Sequence, residues 1–359
     1  MKQSSKQKTF SWLDDRLDLK PLVEMMDHKK VPIHSHTMWY YMGGVTLFLF
    51  LVQLFTGILL LMYYRPGEDS AYESIQFILT EVQFGWLFRN VHAWSANLMV
   101  LFAFIHMFSV VFTRAFSKPR ELTWVSGFLL LLLSMFFGFS GYLLPWNELA
   151  FFATKVGTDI VGAVPFIGEQ LKIIIRGGED VTGATLSRFF GLHVAILPAI
   201  TFLILSFHLL LVQRQGISEP RHFHEQPAEK KRYMSFFPDF VLRDALLWLI
   251  INIIVLYLAV FYPWDLGLKA DALASAPMGI KPEWYFMFMF ETLKIIPPHV
   301  WFIEGETFGI LLFGVAAVLW MAVPFARFRG KQIVDSKWIT ILGVFTITYM
   351  VVLTIIGYI

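Results

Sequence analysis

The sequence predicts an all-α polytopic membrane protein in which a four-helix bundle is followed by three further spanning helices. The 359-residue chain is 57% hydrophobic and only 16% charged, and its mean hydropathy of +0.61 lies well above the range of soluble domains. Seven apolar stretches are long enough to cross a hydrocarbon layer of about 30 Å. These stretches, named spans A to G, cover residues 38–64, 90–113, 122–146, 189–213, 245–264, 307–326 and 338–359.

The distribution of positive charge predicts how the spans are oriented. If the N-terminus is cytoplasmic, the connections on that side hold 20 of the 29 Lys and Arg residues, and the opposite connections hold nine. The positive-inside rule therefore places the N-terminus in the cytoplasm and the C-terminus outside. The first thirty residues contain no signal-peptide pattern, so we expect span A to direct insertion.

Four histidines form two pairs at similar spacing, His92 with His106 in span B and His193 with His208 in span D. Fourteen helical residues advance about 21 Å in nearly four turns, and fifteen advance about 22 Å with an azimuthal error of roughly 60°. Spans B and D run in the same direction, so each pair offers one imidazole near the outer face and one near the inner face. Intramembrane histidine is costly, which favours a functional role. The pattern predicts axial ligands for two stacked haems. The alternative is that the four histidines are polar residues of the bundle core whose nitrogens are hydrogen-bonded there.

Glycine spacing supports this geometry, and the absence of cysteine limits the chemistry. Gly43 and Gly57 in span A are fourteen residues apart, as are Gly127 and Gly141 in span C. A flat macrocycle between helices requires backbone without Cβ, although ordinary small-residue packing between membrane helices explains such glycines as well. Because the chain has no cysteine, it provides neither iron–sulfur ligation nor covalent haem attachment.

Two connections on the predicted outer face, residues 147–188 and 265–306, are unusually apolar and aromatic; the first contains an amphipathic stretch over 156–175. The second contains Pro282-Glu283-Trp284-Tyr285, which places a carboxylate among rings. An apolar setting raises the pKa of a carboxyl group, which suits a group that accepts a proton from a lipid-soluble donor. The alternative is an interfacial aromatic belt with an incidental glutamate.

Several motifs together resemble cytochrome b of the Rieske/cytochrome b complexes, most closely a cytochrome b6 and subunit IV joined in one polypeptide. The resemblance runs from about residue 11 to about residue 325. The spacing of His193 and His208 follows the b6-type pattern. The seven spans equal the four of cytochrome b6 plus the three of subunit IV. The matching stretches are Phe84-Gly85-Trp86-Leu87, Lys118-Pro119-Arg120-Glu121-Leu122-Thr123-Trp124, Ser140-Gly141-Tyr142-Leu143-Leu144-Pro145-Trp146, Gln215-Gly216-Ile217-Ser218 and Pro282-Glu283-Trp284-Tyr285.

The resemblance implies a cytochrome b subunit of a quinol oxidoreductase in a respiratory electron-transport chain. Its expected partners are a Rieske iron–sulfur protein, a c-type cytochrome or similar carrier, quinone, the lipid bilayer and a second copy of the chain, and no nucleic acid. The expected location is a bacterial inner membrane. The implied domains are a cytoplasmic amphipathic segment at 1–37, a di-haem bundle at 38–213, a cytoplasmic linker at 214–244 and a subunit IV-like region at 245–359.

The resemblance also implies roles for individual residues. His92 and His193 would hold a low-potential b-type haem near the outer face, and His106 and His208 a high-potential one near the inner face. Quinol oxidised at an outer site would send one electron to the Rieske partner and the second through both haems to an inner quinone, with proton translocation. Glu283 would take a quinol proton. The residues expected around that pocket are Tyr142, Pro145, Trp146 and Tyr285.

Two further features bear on cofactor binding. In b6-type chains a cysteine anchors an extra haem at the inner quinone site, but Tyr41 stands at that position. Covalent attachment is therefore excluded, and either a noncovalent third haem or the Tyr41 ring itself fills the space. Cations near helix ends are candidates for binding haem propionates or the quinone at the inner site. Snorkelling of long side chains and the positive-inside rule explain these cations equally well. They are Arg89, Arg114, Lys118, Arg188 and Arg214.

Two other functions fit part of the pattern. A di-haem membrane anchor of a dehydrogenase also carries paired histidines but lacks the Pro-Glu-Trp-Tyr segment. A proton-coupled transporter would use the histidines as a proton relay and would be expected to show discontinuous helices with repeat symmetry. A reduced-minus-oxidised spectrum without b-type bands would eliminate both redox functions.

Overall fold

Seven long apolar helices dominate the fold. The computed structural model describes residues 5–21, 29–328, 331–332 and 337–359. Within these residues, seven helices are long and apolar enough to cross a membrane, so the predicted all-α, seven-span architecture is confirmed. Spans A to G extend over Thr37–Leu61, Gly85–Thr113, Glu121–Tyr142, Gly183–Gln215, Phe236–Phe261, Gly305–Phe325 and Lys337–Tyr358. The predicted segment 1–37 lies partly outside the described residues.

Four spans contain tighter or wider turns. The α-helical parts are Met42–Leu61 in span A, Gly183–Gly191 and Leu197–Gln215 in span D, Val241–Phe261 in span E and Gly305–Ala322 in span F. The 3₁₀ turns are Thr37–Tyr41 and Val323–Phe325, and the π turns are Leu192–Ile196 and Phe236–Phe240. Span C ends at Tyr142, four residues earlier than predicted. Pro145 accounts for this difference, because the residue before a proline disfavours the α conformation.

The spans pack as two antiparallel pairs that together form the four-helix bundle. Span A packs along span B, and span C packs along span D. Span E lies against spans A and B, where Val255 and Ala259 meet Val45 and Leu49 in a buried cluster. Span G contacts span B and the short helix of the E–F connection. The bundle core therefore lies between the A–B pair and the C–D pair.

One end of the bundle, called the outer end because the positive-inside rule places it outside, is covered by short helices. They are Ala71–Thr80, Glu148–Gly162, Gly168–Arg176 and Trp284–Ile295, followed by strands β1 (His299–Val300) and β2 (Ile303–Glu304). The predicted amphipathic stretch at 156–175 is thus two helices rather than one. The break contains Pro165, and Gly168 packs against the carbonyl of Gly162, where a side chain would not fit.

The opposite, inner end joins two polar segments that are distant in sequence. Strand β3 (Lys30–Ile33) pairs antiparallel with strand β4 (Arg232–Ser235), and Lys30 lies opposite Ser235. The D–E connection is therefore tied to the segment before span A. The remaining inner elements are the helices Ser5–Leu17 and Arg221–His224, the 3₁₀ turn Ala228–Lys230 and the strands β5 (Arg327–Phe328) and β6 (Lys331–Gln332).

Candidate functional site

The four intramembrane histidines meet across the bundle in two pairs. At the outer end, the ring centroids of His92 and His193 are 6.4 Å apart with an interplanar angle of 68°. Two metal–imidazole bonds of about 2.0 Å each account for about 4 Å of such a separation, and the two ring half-widths supply the rest. At the inner end, His106 and His208 lie close enough for an electrostatic interaction between their rings. The outer separation suits ligands on opposite sides of one metal.

A π turn in span D explains how its fifteen-residue spacing still aligns two imidazoles. The N–H of Leu197 donates to the carbonyl of Leu192, five residues back, and Pro198 follows without an N–H. One extra residue in a turn offsets about 100° of rotation. His193 and His208 therefore have the phase of residues fourteen apart in a regular α-helix, as His92 and His106 are. The roughly 60° error expected from spacing alone does not arise.

Each of the four glycines faces one of the four imidazoles. A Cβ atom at Gly141 would lie 2.7 Å from Cε1 of His193, and one at Gly43 would lie 3.0 Å from Cε1 of His106. The neighbours are ring atoms rather than helix backbone, so these glycines do more than allow helices to approach. They leave room for the imidazole rings and for the flat cofactor predicted between the paired rings. The pairings are Gly57 with His92, Gly141 with His193, Gly43 with His106 and Gly127 with His208.

Hydroxyl groups hold three of the imidazoles in one tautomer. The Nδ1 atoms bind Thr56, Ser140 and Ser126, at 2.8 Å from His92, 3.0 Å from His193 and 3.0 Å from His208, respectively. Each hydroxyl donates its own hydrogen to a carbonyl of its helix, so each oxygen accepts from an Nδ1–H group. The Nε2 lone pair is thereby free, and this tautomer is the one that binds a metal through Nε2.

His106 is the exception among the four. Its Nδ1 atom is buried and has no hydrogen-bond partner among the described residues. In sequence, a hydroxyl residue directly precedes Gly57, Gly127 and Gly141, whereas Met42 precedes Gly43. This hydroxyl–glycine dipeptide is a sequence signal for the imidazole acceptors, and the spacing of the glycines alone does not reveal it. Facing imidazoles, a glycine-lined gap and defined tautomers together fit a flat metal-bearing macrocycle held by two histidines.

The Pro-Glu-Trp-Tyr segment is clamped between spans B and C. Glu283 directly precedes the helix Trp284–Ile295. The indole Nε1–H of Trp284 donates to Oδ1 of Asn97 in span B at 2.9 Å. Tyr285 is 3% exposed, and its hydroxyl lies against Gly138 in span C, where a Cβ would overlap it. Two side chains that follow the carboxylate in sequence are therefore fixed to two different helices of the bundle.

The Glu283 carboxylate lies among tyrosines at the outer end. Burial raises its pKa above the ordinary glutamate value. Its charge also acts on Tyr142, Tyr285 and Tyr358, which places these side chains near it. Tyr358 belongs to span G, and nothing in the sequence pattern indicated its approach. An incidental glutamate in an aromatic belt would instead face the headgroup region and keep an ordinary pKa.

Trp146 and Pro145 form part of the neighbouring wall. Trp146 is 2% exposed, and its ring packs edge-on to Phe151 with centroids 5.5 Å apart. Its carbonyl accepts a hydrogen bond of 3.0 Å from the N–H of Ala270 in the E–F connection. Pro145 is half-buried. Trp146 therefore joins the C–D connection to the E–F connection that carries Glu283.

Comparisons with known proteins decide the family. A family model described as cytochrome b/b6/petB matches residues 27–216, and one described as cytochrome b(C-terminal)/b6/petD matches residues 269–359. The chain is 48% identical over 354 residues to the cytochrome bc complex cytochrome b subunit of Chlorobaculum thiosulfatiphilum, covering 98% of this chain and 81% of that one. The chain belongs to the cytochrome b/b6 family.

Two further comparisons agree with this assignment. Cytochrome b6 of Synechococcus sp. (strain JA-3-3Ab) is 45% identical over 213 residues, which cover 59% of this cytochrome b and 99% of the relative. A solved hyperthermophilic respiratory Complex III contains a chain that superposes with a TM-score of 0.85 at 29% identity, covering 97% and 91% of the two chains. The predicted union of b6-like and subunit IV-like parts in one polypeptide is confirmed, since both family domains occur in this cytochrome b.

The five predicted cations have different environments. Arg89 donates to the carbonyls of Trp264 and Asp265 at the start of the E–F connection, the latter at 3.4 Å. Arg114 donates to Thr340 Oγ1 in span G at 2.9 Å. These two arginines therefore join spans to neighbouring segments. The guanidinium of Arg188 packs over Gly177, whereas Lys118 and Arg214 are exposed.

Arg120, which the sequence offered only as part of a motif, directly precedes the helix Glu121–Tyr142 at the inner end of span C. Its Nη2 donates to the carbonyl of Gln215 at 3.1 Å, while its Nε is buried without a partner among the described residues. Gln215 also accepts from Thr123, one turn before Ser126, the residue that binds His208. A half-buried cation with a buried, unused Nε donor thus lies at the inner end of span C.

Polar atoms without partners also mark the inner end of spans A and E. Tyr41 stacks on Phe240 with ring centroids 4.5 Å apart and an interplanar angle of 13°. Its hydroxyl is buried and unpaired among the described residues, as is Oδ1 of Asp244. The Asp244 carboxylate packs against Gly44, where a Cβ would overlap it. The aromatic pair occupies the space beside position 41, and a carboxylate lies in span E at this end.

Proposed function

We propose that this cytochrome b is the quinol-oxidising subunit of a bc-type complex, with a Rieske iron–sulfur partner and a c-type cytochrome or similar carrier. The observation that carries the proposal is the half-buried Glu283 carboxylate, with its raised pKa, at the same end of the bundle as the His92–His193 pair. The relatives named as subunits of bc and Complex III assemblies support the larger complex. An anchor of a dehydrogenase would not need this carboxylate.

Two noncovalent b-type haems would be held by His92 with His193 and by His106 with His208. When bound, they supply one-electron transfer between the two ends of the bundle. The hydroxyls of Thr56, Ser126 and Ser140 keep the ligand imidazoles in the metal-binding tautomer. Arg120, with its unused buried donor, is placed to bind an anionic propionate at the inner level.

At the outer end, oxidation of one quinol releases two protons and two electrons. The Glu283 carboxylate accepts one proton from a quinol hydroxyl, and a raised pKa makes it a better match for that donor. Burial also raises the pKa of Tyr285, so its phenol stays protonated and would donate a hydrogen bond to the quinol. One electron leaves with the second proton on the Rieske side, and the other electron enters the bundle. Tyr142 adds a further hydroxyl group to the proposed quinol site.

At the inner end, a quinone would be reduced with protons taken from the cytoplasmic side. Asp244 offers an unpaired carboxylate oxygen among the described residues, and the buried Tyr41–Phe240 stack fills the space beside position 41. A third, noncovalent haem at this end stays a prediction of the resemblance. Proton uptake here and release at Glu283 would together translocate protons.

The surrounding arrangement follows from the same proposal. The excess of Lys and Arg on one side supports a cytoplasmic N-terminus and an outside C-terminus in a bacterial inner membrane. The proposed domains are the di-haem bundle at 38–213 and the subunit IV-like region at 245–359, with segments 1–37 and 214–244 paired through strands β3 and β4. A homodimer is expected from the family.

A substitution test separates this function from its rivals. Glu283→Gln should lower quinol oxidation by about 10²–10⁴-fold, because it removes the proton acceptor, and should leave the b-haem spectrum unchanged. Glu304→Gln is the matched control, since Glu304 is an exposed carboxylate in the same connection. Equal quinol oxidation in both variants would favour a dehydrogenase anchor. A purified protein without b-type bands would favour the transporter.

A further inference from the structure

Span B carries a polar side chain, Asn97, that reaches the proposed quinol site from between the two haem-ligand positions. Asn97 lies five residues after His92 and nine before His106. Its Oδ1 accepts the 2.9 Å hydrogen bond from the indole of Trp284, and its Nδ2 donates to the carbonyl of Ala93 at 3.0 Å. The side chain therefore links the helix that bears histidines to the segment that bears the carboxylate.

Only one orientation of the Asn97 amide satisfies both bonds. With the oxygen and nitrogen exchanged, the amide N–H₂ would face the indole N–H, and its oxygen would face the carbonyl of Ala93. The indole of Trp284 has one donor and no acceptor, so this bond uses its whole hydrogen-bonding capacity. In an apolar interior an unpaired N–H is costly, which makes the link hard to replace locally.

Glu283 depends on this link because it lacks a side-chain anchor of its own. Among the described residues, none donates a hydrogen bond to its carboxylate, while its carbonyl accepts from the N–H of Phe286 at 2.8 Å. The point from which the carboxylate extends is therefore set by the backbone at the start of the helix Trp284–Ile295. That backbone is held by Trp284 on one side and by Tyr285 on the other.

The remaining contacts of Trp284 are apolar and less directional. Its ring centroid lies 6.4 Å from that of Phe104 and 5.4 Å from that of Tyr285. Ring packing alone leaves an indole free to slide, whereas a hydrogen bond fixes both distance and direction. The Asn97 bond is thus the contact that selects one position for Trp284.

We propose that Asn97 is a positioning residue for quinol oxidation, which accepts the indole N–H of Trp284 and thereby aims the Glu283 carboxylate at the quinol. The inference rests on the proposed function of Glu283. Asn97 does not touch the reacting atoms in this assignment. Its effect passes through Trp284, so the two residues should act as one unit.

A double-mutant cycle tests this dependence in the intact complex. Asn97→Leu removes the acceptor and keeps the same branched arrangement of heavy atoms, and Trp284→Phe removes the donor but keeps a ring. We expect Asn97→Leu to lower kcat by about tenfold or more, up to the roughly 10²-fold cost of misplacing a catalytic group. In the Trp284→Phe background, the same change should alter kcat by less than about twofold, because the bond is already lost.

The pH profile gives a readout that simple destabilisation would not move. Glu283 must be ionised to accept a proton, so quinol oxidation rises with pH through its pKa. Because burial keeps that pKa raised, a loosened segment that admits water should lower it. The acid limb of Asn97→Leu should therefore shift to lower pH. Thr113→Val is the matched control, since its hydroxyl bonds only within span B at a distance from the segment.

Haem content is measured first, and Asn97→Ala replaces the leucine variant in the same cycle if leucine lowers it. A wild-type kcat and acid limb in both Asn97 variants, or effects of Asn97 and Trp284 that multiply independently, would overturn the inference. If Glu283→Gln itself leaves quinol oxidation unchanged, the proposed function fails instead. If Glu283→Gln lowers quinol oxidation and the Asn97 variants do not, only the positioning role of Asn97 is contradicted.

Discussion

The outer and inner levels of the bundle use the same glycine cradle but different hydrogen bonds. At the outer level, His92 and His193 both donate Nδ1–H to hydroxyls. At the inner level only His208 does, since Nδ1 of His106 has no partner among the described residues. A hydrogen bond from Nδ1–H makes an imidazole a more basic ligand and stabilises oxidised iron. In the proposed function, the outer haem should therefore have the lower potential, so that electrons would move inward downhill.

The two levels also differ in how a carboxylate is placed. Glu283 belongs to a connection outside the spans and is fixed by neighbours that bind two helices. Asp244 belongs to span E itself and packs directly on Gly44 of span A. The outer carboxylate is therefore held indirectly, through the two side chains that follow it in sequence, whereas the inner carboxylate contacts a neighbouring span itself. One bundle thus positions one carboxylate indirectly and the other directly.

The largest expected effect comes from filling the outer cradle. Gly141→Val places a branched side chain where even a Cβ would lie 2.7 Å from His193, and this ring cannot retreat without changing its position opposite His92. We expect loss of the outer haem and retention of the inner one. A haem assay per chain and a low-temperature optical spectrum measure this. Gly314→Val is the control, because among the described residues no atom outside its own helix backbone lies within 4 Å of a Cβ placed there; equal haem content in both variants would contradict the cradle.

The second effect concerns pH and the outer carboxylate. Because burial raises the Glu283 pKa, quinol oxidation should fall by about tenfold per pH unit below a midpoint higher than the ordinary value of about 4.3. Glu283→Gln should abolish this limb, and Asp244→Asn should leave it in place while slowing quinone reduction at the inner end. Steady-state rates of quinol oxidation and quinone reduction, measured from about pH 5 to about pH 9, test both variants. A limb that persists in Glu283→Gln would assign it to another group.

The spans and the histidine pairs were predictable from sequence because they depend on local periodicity. Hydropathy located all seven spans, and spacing alone selected His92, His106, His193 and His208. The ends of the spans were less predictable, since Pro145 terminates span C and the π turn in span D depends on a local break in the backbone ladder. Periodicity cannot reveal such breaks.

Contacts between distant segments could not be predicted. Tyr358 approaches Glu283 only because span G packs on the E–F helix, and Asn97 meets Trp284 only because that helix folds back on span B. Arg89 was considered for a cofactor but binds carbonyls of a connection 175 residues away. Each of these outcomes depends on the packing of helices, which a single sequence does not display.

A smaller effect is expected from the hydroxyls that hold the outer imidazoles. Ser140→Ala removes the acceptor for His193 Nδ1–H, which should weaken haem binding by about 10-fold, the lower end of the range for such outer-shell partners, and raise the outer haem potential. Ser134→Ala is the matched control, because its buried hydroxyl bonds only to the carbonyl of Leu131 in the same span. Potentiometric titration of both variants checks this. An unchanged outer potential would remove the explanation for the difference between levels.

The smallest effect would make the inner level resemble the outer one. Met42→Thr creates a hydroxyl before Gly43, in the position that Thr56 holds before Gly57, and offers His106 Nδ1–H an acceptor. A hydrogen bond of about 1 kcal/mol that favours oxidised iron should lower the inner potential by on the order of 40 mV. Val45→Thr, one turn further along span A, adds a hydroxyl without a following glycine and should leave the potential unchanged. If both variants shift the inner haem equally, the effect comes from polarity alone and the hydroxyl–glycine dipeptide has no special role.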